Sequence, residues 1–115
     1  MMTKIICEAA PDKRFAAVLH FKPVDQDAWR FDVNLETVDE ALELISLIRK
    51  QLPGTDVRID GCERKSFTIV PYYPIPGHVA SFAFLYDGGK VQPIGLETRK
   101  EVEQLINILQ MQLKS

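Results

Sequence analysis

Two stretches of this chain carry one pattern. Asn34-Leu35-Glu36-Thr37 through Leu52 recurs 61 residues later as Gly95-Leu96-Glu97-Thr98 through Leu113. Eight of the nineteen positions are identical: Leu, Glu, Thr, Glu, Leu, Ile, Gln and Leu. Both stretches contain Thr-x-x-Glu, as Thr37 with Glu40 and Thr98 with Glu101. In such a capping box the threonine accepts from the amide three residues on, and the glutamate reaches back to the cap amide. The spacing predicts two helices that begin at equivalent places for one physical reason. A unit used twice constrains architecture strongly and function weakly.

The two stretches also share their faces. At about 100° per residue, Ala41, Ile45, Ile48 and Leu52 form one apolar stripe, and Val102, Ile106, Leu109 and Leu113 form its equivalent. Leu44 and Leu47 in the first, and Leu105 and Ile108 in the second, add an apolar edge beside it. A helix lying on a sheet needs only one stripe. The second edge therefore points to contact between the helices or with another chain. Asp39, Glu43 and Lys50, with Lys100, Glu103 and Lys114, read as solvated positions.

Between the helices the period changes to two. Residues 4–9, 15–22 and 28–35 read as strands. The last alternates cleanly, with Trp29, Phe31, Val33 and Leu35 on one side and Arg30, Asp32 and Asn34 on the other. Residues 56–62, 66–73, 79–86 and 90–94 read as four more, with Asp87-Gly88-Gly89 as a hairpin signal. Cys62-Glu63 ahead of Phe67 echoes Cys7-Glu8 ahead of Phe15. The expected order is βββα followed by ββββα, as pseudo-repeats 1–54 and 55–115 of a single domain spanning residues 1–115. The fold class is α+β: an antiparallel sheet with both helices packed on one face.

Composition removes several functional classes. A chain of 115 residues that is 46% hydrophobic and 26% charged is globular and can bury a core. A net charge of −2 argues against duplex DNA or an anionic membrane surface. No apolar run reaches membrane-spanning length, and the N-terminus lacks an apolar leader, so a cytoplasmic location without membrane contact is expected. Cys7 and Cys62 are too few and too distant for a zinc ribbon or a CxxC pair and read as free thiols.

Catalytic chemistry finds little purchase. Asp60 with Glu63-Arg64-Lys65 is loosely similar to the carboxylate and lysine signature of metal-dependent nucleases. Those sites need the aspartate on a neighbouring strand, not three residues away. His20 and His78 have no partners at ligand spacing, and no serine lies in a nucleophile elbow. The chain is expected to be no enzyme and to need no cofactor or metal.

The aromatic strands carry more. In the second half, Phe82, Phe84 and Tyr86 oppose Ala83 and Leu85, and Tyr73 opposes Tyr72. Strands apolar on both faces need a second cover, from another subunit, a partner or stacked bases. The leading expectation is a non-catalytic interaction protein, of adaptor, inhibitor, immunity or phage-type accessory kind, that acts as a homodimer or holds a protein partner. Its candidate surface is Leu44, Leu47, Leu105, Ile108, Tyr72, Tyr73, Phe82, Phe84 and Tyr86. The order of elements, with a Leu-x-Thr helix start at Leu35 and Leu96, resembles the PC4-like and Whirly families of single-stranded nucleic-acid binders. That resemblance implies the second expectation, a single-stranded nucleic-acid surface. Lys22, Trp29, Arg30, Arg58, Arg64 and Lys65 would have to gather for it, with Lys13 and Arg14 nearby.

Overall fold

The computed structural model describes residues 5–23, 31–50, 61–70, 76–86 and 89–114. They form β1 (Ile5–Ala9), β2 (Ala17–Pro23), β3 (Phe31–Leu35), α1 (Val38–Arg49), β4 (Cys62–Glu63), β5 (Thr68–Val70), β6 (Ala80–Tyr86), β7 (Lys90–Leu96) and α2 (Arg99–Leu113). The class is α+β and the order is three strands and a helix, then four strands and a helix. No helix among the described residues is long and apolar enough to cross a membrane.

Both helices start as their sequences require. Thr37 (φ −126°, ψ 157°) and Thr98 (φ −127°, ψ 157°) adopt one extended cap conformation. Each hydroxyl accepts from the amide three residues on, Glu40 or Glu101, at 3.2 Å. The glutamates then diverge. Glu101 accepts from the Glu97 amide at 2.8 Å, whereas Glu40 turns to the β4–β5 hairpin.

In place of one shared sheet there are two, in the orders β1-β2-β3 and β4-β5-β6-β7, all antiparallel. The physical reason lies between them. Phe21 and Phe31 of the first sheet meet Phe84 of the second at ring-centroid distances of 6.0 and 5.8 Å, and Phe31 meets Tyr86 at 4.6 Å. Each sheet thus buries its aromatic face against the other and against the helices, in one continuous core. Side-by-side pairing would have left those rings on an open face.

The hairpins of the two sheets share a register. Ala17 lies opposite Leu35 as Ala80 lies opposite Leu96, and Leu19, Phe21 and Val33 match Phe82, Phe84 and Ile94. The Ala16 amide bonds the Leu35 carbonyl at 2.8 Å, and the Val79 amide bonds that of Leu96 at 2.9 Å. Phe21 has Cys7 across from it on β1, and Phe84 has Ile69 on β5. The Cys7 and Cys62 segments are therefore not equivalents, contrary to the echo in the sequence: Cys62 sits on an additional strand, paired outside Ile69. Both cysteines are free and partly buried.

The β6–β7 hairpin closes with the Gly89 amide on the Tyr86 carbonyl at 3.2 Å. Gly89 has φ +143°, a conformation that L side chains rarely adopt. Pro93 is accommodated because β7 is an edge strand.

Candidate interaction site

The expected interaction surface divides on inspection. Trp29, Arg30, Arg58, Tyr72 and Tyr73 lie outside the described residues. Phe82 and Phe84 are 0% and 1% exposed and belong to the core between the sheets, so they offer no outer surface. Leu44 and Leu105 are corrected in the same way, because each points from its helix into that core. Leu47 and Ile108 are half-buried against it, and the Tyr86 ring meets Phe31 at a tilt of 46°. The second apolar edge of each helix is thus used within the chain. The two-faced strand is also largely covered: Ser81 and Ala83, on the other side of β6, are inaccessible to solvent. Among the described residues, Leu85 and its direct partner Val91 are the large apolar side chains that remain exposed there.

The basic residues among those described do not assemble. Lys22 pairs with Glu8 at 3.3 Å on the outer face of the first sheet, beside His20, whose Nδ1 lies 2.6 Å from Asp32. Arg64 and Lys65 lie at the β4–β5 hairpin, where Arg64 clasps Glu43 and Lys65 approaches Glu36 at 3.5 Å. Arg14 holds Asp12 and lies over the Phe15 ring. Each of these four cations has its own carboxylate, and they stand at three separate places: on β2, at the β4–β5 hairpin and in the turn before β2. His78 contacts the Pro76 carbonyl at 3.1 Å. Among the described residues no group of three acidic, histidine or cysteine side chains could hold a metal ion.

The hairpin cluster is a structural clasp that the sequence left among solvated positions. Glu43 accepts two bonds from the Arg64 guanidinium, with the Cys62 thiol at 3.7 Å. Glu40 accepts from the Ser66 amide at 2.8 Å and from its hydroxyl. These bonds hold both carboxyls below their ordinary range: the Ser66 hydroxyl is the largest cause at Glu40 and the Arg64 guanidinium at Glu43. Burial pushes the Cys62 thiol up, and that of Cys7 up to about 12.

What the sequence reading missed lies on the outer side of the helix pair. Val38, at the start of α1, shares a groove with Leu113, at the end of α2, while Arg49 lies with Arg99 and Glu103. The helices therefore run antiparallel. Two clefts flank them as equivalents. Leu42, Ile45, Ser46 and Arg49 line one with Gln110; Glu103, Ile106, Asn107 and Gln110 line the other with Arg49. The first four and the second four are 61 residues apart throughout.

Within this matched frame two exposed positions of α1 are apolar where α2 is charged, and the reverse holds at Lys50, whose counterpart is the exposed Met111. Val38 and Leu42 of α1 are both 50% exposed. Their counterparts in α2 are Arg99 and Glu103, which form an ion pair at 3.4 Å. Val38 also lines a groove of about 620 Å³ with Phe15, Pro11, Ala16 and Leu113, rimmed by Asp12, Lys13 and Gln112. Exposed Met111 stands on the same end of α2. This is an apolar end face on one helix where its equivalent is charged. The contrast stands in the sequence as Val38/Leu42 against Arg99/Glu103, outside both apolar stripes.

Comparison with known proteins finds no matching family model, no matching curated protein and no matching solved structure.

Proposed function

We propose that this chain is a non-catalytic interaction protein of the cytoplasm that pairs with a second copy of itself through the Val38–Leu42 face of α1 and the adjoining groove. One observation carries the reading: two large apolar side chains stand half-exposed where the equivalent helix carries an Arg–Glu pair. Contiguous exposed apolar surface marks association sites. Burying a side chain of this size is worth roughly 1.5–3 kcal/mol. The proposal includes descent of the two halves from one duplicated unit, with the first half keeping a sticky helix and the second a soluble one.

Multi-angle light scattering at micromolar concentration tests it. The wild-type chain is expected to run as a dimer. The Val38→Arg/Leu42→Glu variant, which copies the α2 pair, is expected to run as a monomer with unchanged helix content. A monomeric wild type, or a variant that still dimerises, overturns the reading. So does salt-sensitive binding of a single-stranded oligonucleotide, which would favour the nucleic-acid alternative through phosphate contacts.

A further inference from the structure

We infer that Asp39 and Arg49 orient the pairing: α1 docks antiparallel on α1 of a second copy, and each Asp39 meets the partner's Arg49. This orientation rests on the dimer reading above and adds to it two specificity-determining residues. α1 carries Asp39 and Glu40 in its first turn and Arg49 in its last. α2 carries Glu101 in its first turn and no basic residue in its last. The counterparts of Asp39 and Arg49, 61 residues on, are Lys100 and Gln110. Glu40 is held by Ser66, which leaves Asp39 as the exposed acid of its turn. The exposed side of α1 is thus acidic at one end and basic at the other, and that of α2 is not.

Both charges border the apolar pair. Arg49 lines a cleft with Leu42 and Ser46, and Asp39 stands three residues before Leu42, a neighbour on the helix surface. Ten residues separate the two charges, about 15 Å of helix, so they do not meet within one chain. The ion pairs around them leave both out. Glu36 takes Lys65, Glu43 takes Arg64, and Glu103, which shares a cleft with Arg49, takes Arg99.

Two identical chains meeting about a two-fold axis need a surface complementary to itself after rotation. Turning α1 antiparallel on a copy of itself brings acidic end to basic end twice. The point halfway between Asp39 and Arg49 is position 44, about 3 Å along the axis from Leu42. Both Leu42 side chains therefore come to the centre, with an Asp39–Arg49 contact on either side. A parallel pairing would set Asp39 against Asp39 and Arg49 against Arg49, and like charges oppose that alignment. In α2 the same rotation would bring Lys100 to Gln110, with no opposite charge to meet. The charges of α1 also suit the dipole of their own helix. That effect stays inside one chain, and mixing two variants separates it from contact between chains.

Sedimentation equilibrium on charge-reversed full chains tests the orientation. Asp39→Arg and Arg49→Asp each set like charges together twice in a homodimer, and each is expected to weaken dimerisation about tenfold. Mixing the two variants is expected to restore wild-type affinity as a heterodimer, since the reversed charges then meet each other and the native ones do likewise. Native mass spectrometry of isotope-labelled Asp39→Arg with unlabelled Arg49→Asp reads that pairing directly. Asp39→Arg/Arg49→Asp in one chain should restore the homodimer. Single variants that dimerise like wild type, as a parallel pairing would allow, overturn the orientation and leave the dimer reading standing. So do variants that stay weak when mixed, which would place the effect within one helix. A monomeric wild type overturns both.

Discussion

The side chain of Gln112 closes the backbone of Val18: its Oε1 accepts from the Val18 amide at 2.8 Å and its Nε2 donates to the Val18 carbonyl at 2.9 Å. β1 ends at Ala9, so β2 runs on past its neighbour at that point. A carboxamide has the donor and acceptor spacing of a peptide group. Gln112, from a helix 94 residues away in sequence, stands in for the missing strand. Gln112→Ala is expected to destabilise the fold by about 1–3 kcal/mol, because it strands the part-buried Val18 amide and leaves the Val18 carbonyl only the 3.5 Å bond from the Ala10 amide. Gln112→Glu should also destabilise, since a carboxylate cannot donate to the carbonyl. Urea melts showing either variant at wild-type stability would refute the role.

Thr37→Ala and Thr98→Ala are each expected to cost on the order of 1 kcal/mol through loss of the cap bond. Ile45→Ala and Ile106→Ala, at residues 3% and 5% exposed, should cost about 2–5 kcal/mol by leaving cavities. Cap variants less stable than core variants in the same denaturant series would reverse that ranking.

The clasp between α1 and the β4–β5 hairpin is expected to be sensitive to acid. Glu40 and Glu43 have folded pKa values depressed below 4.5. Their stabilisation is fully present above the unfolded value and is lost as pH falls through the folded ones. Melting temperature measured from about pH 6 to pH 3 should therefore fall. The Glu40→Gln/Glu43→Gln variant should fall less over the same range. Parallel curves would show that the clasp contributes nothing.

Both thiols are expected to be sluggish. Burial raises the pKa of Cys7 to about 12 and raises that of Cys62 as well, so neither is a thiolate at neutral pH. Aromatic disulfide reagents should label the folded chain slowly and the denatured chain rapidly. Rapid labelling of the native protein at pH 7 would contradict the burial of Cys7.

Local signals in the sequence were legible wherever one residue type dictates one geometry. Thr37 and Thr98 placed both helix starts, and Gly89 marked a hairpin whose backbone demands glycine. The class and the order of strands followed from periodicity. What did not follow was partnership between distant elements. Period-two alternation shows that Phe21 and Phe84 face inward, but not whether they face a helix or another sheet. Glu43 was read as solvated because nothing local reveals Arg64 across the fold. The apolar second edge, Leu44 and Leu105, reads in sequence as a contact between the helices or with another chain, because a strand count cannot reveal a second sheet. The exposed Val38 and Leu42 fall on neither apolar stripe of α1, so periodicity says nothing of them.

The mismatch between Val38/Leu42 and Arg99/Glu103 also decides how many neighbours one molecule can have. With apolar side chains on both helices, each chain would offer two adhesive patches on opposed flanks of the pair. Chains joined through both would extend without closing, which is the route to fibres. In the dimer proposed above, an Arg–Glu pair at one of those patches would leave the Val38–Leu42 flank alone to pair, and two chains meeting through it would use it up. In that arrangement the charged pair at Arg99 and Glu103 would act as a terminator.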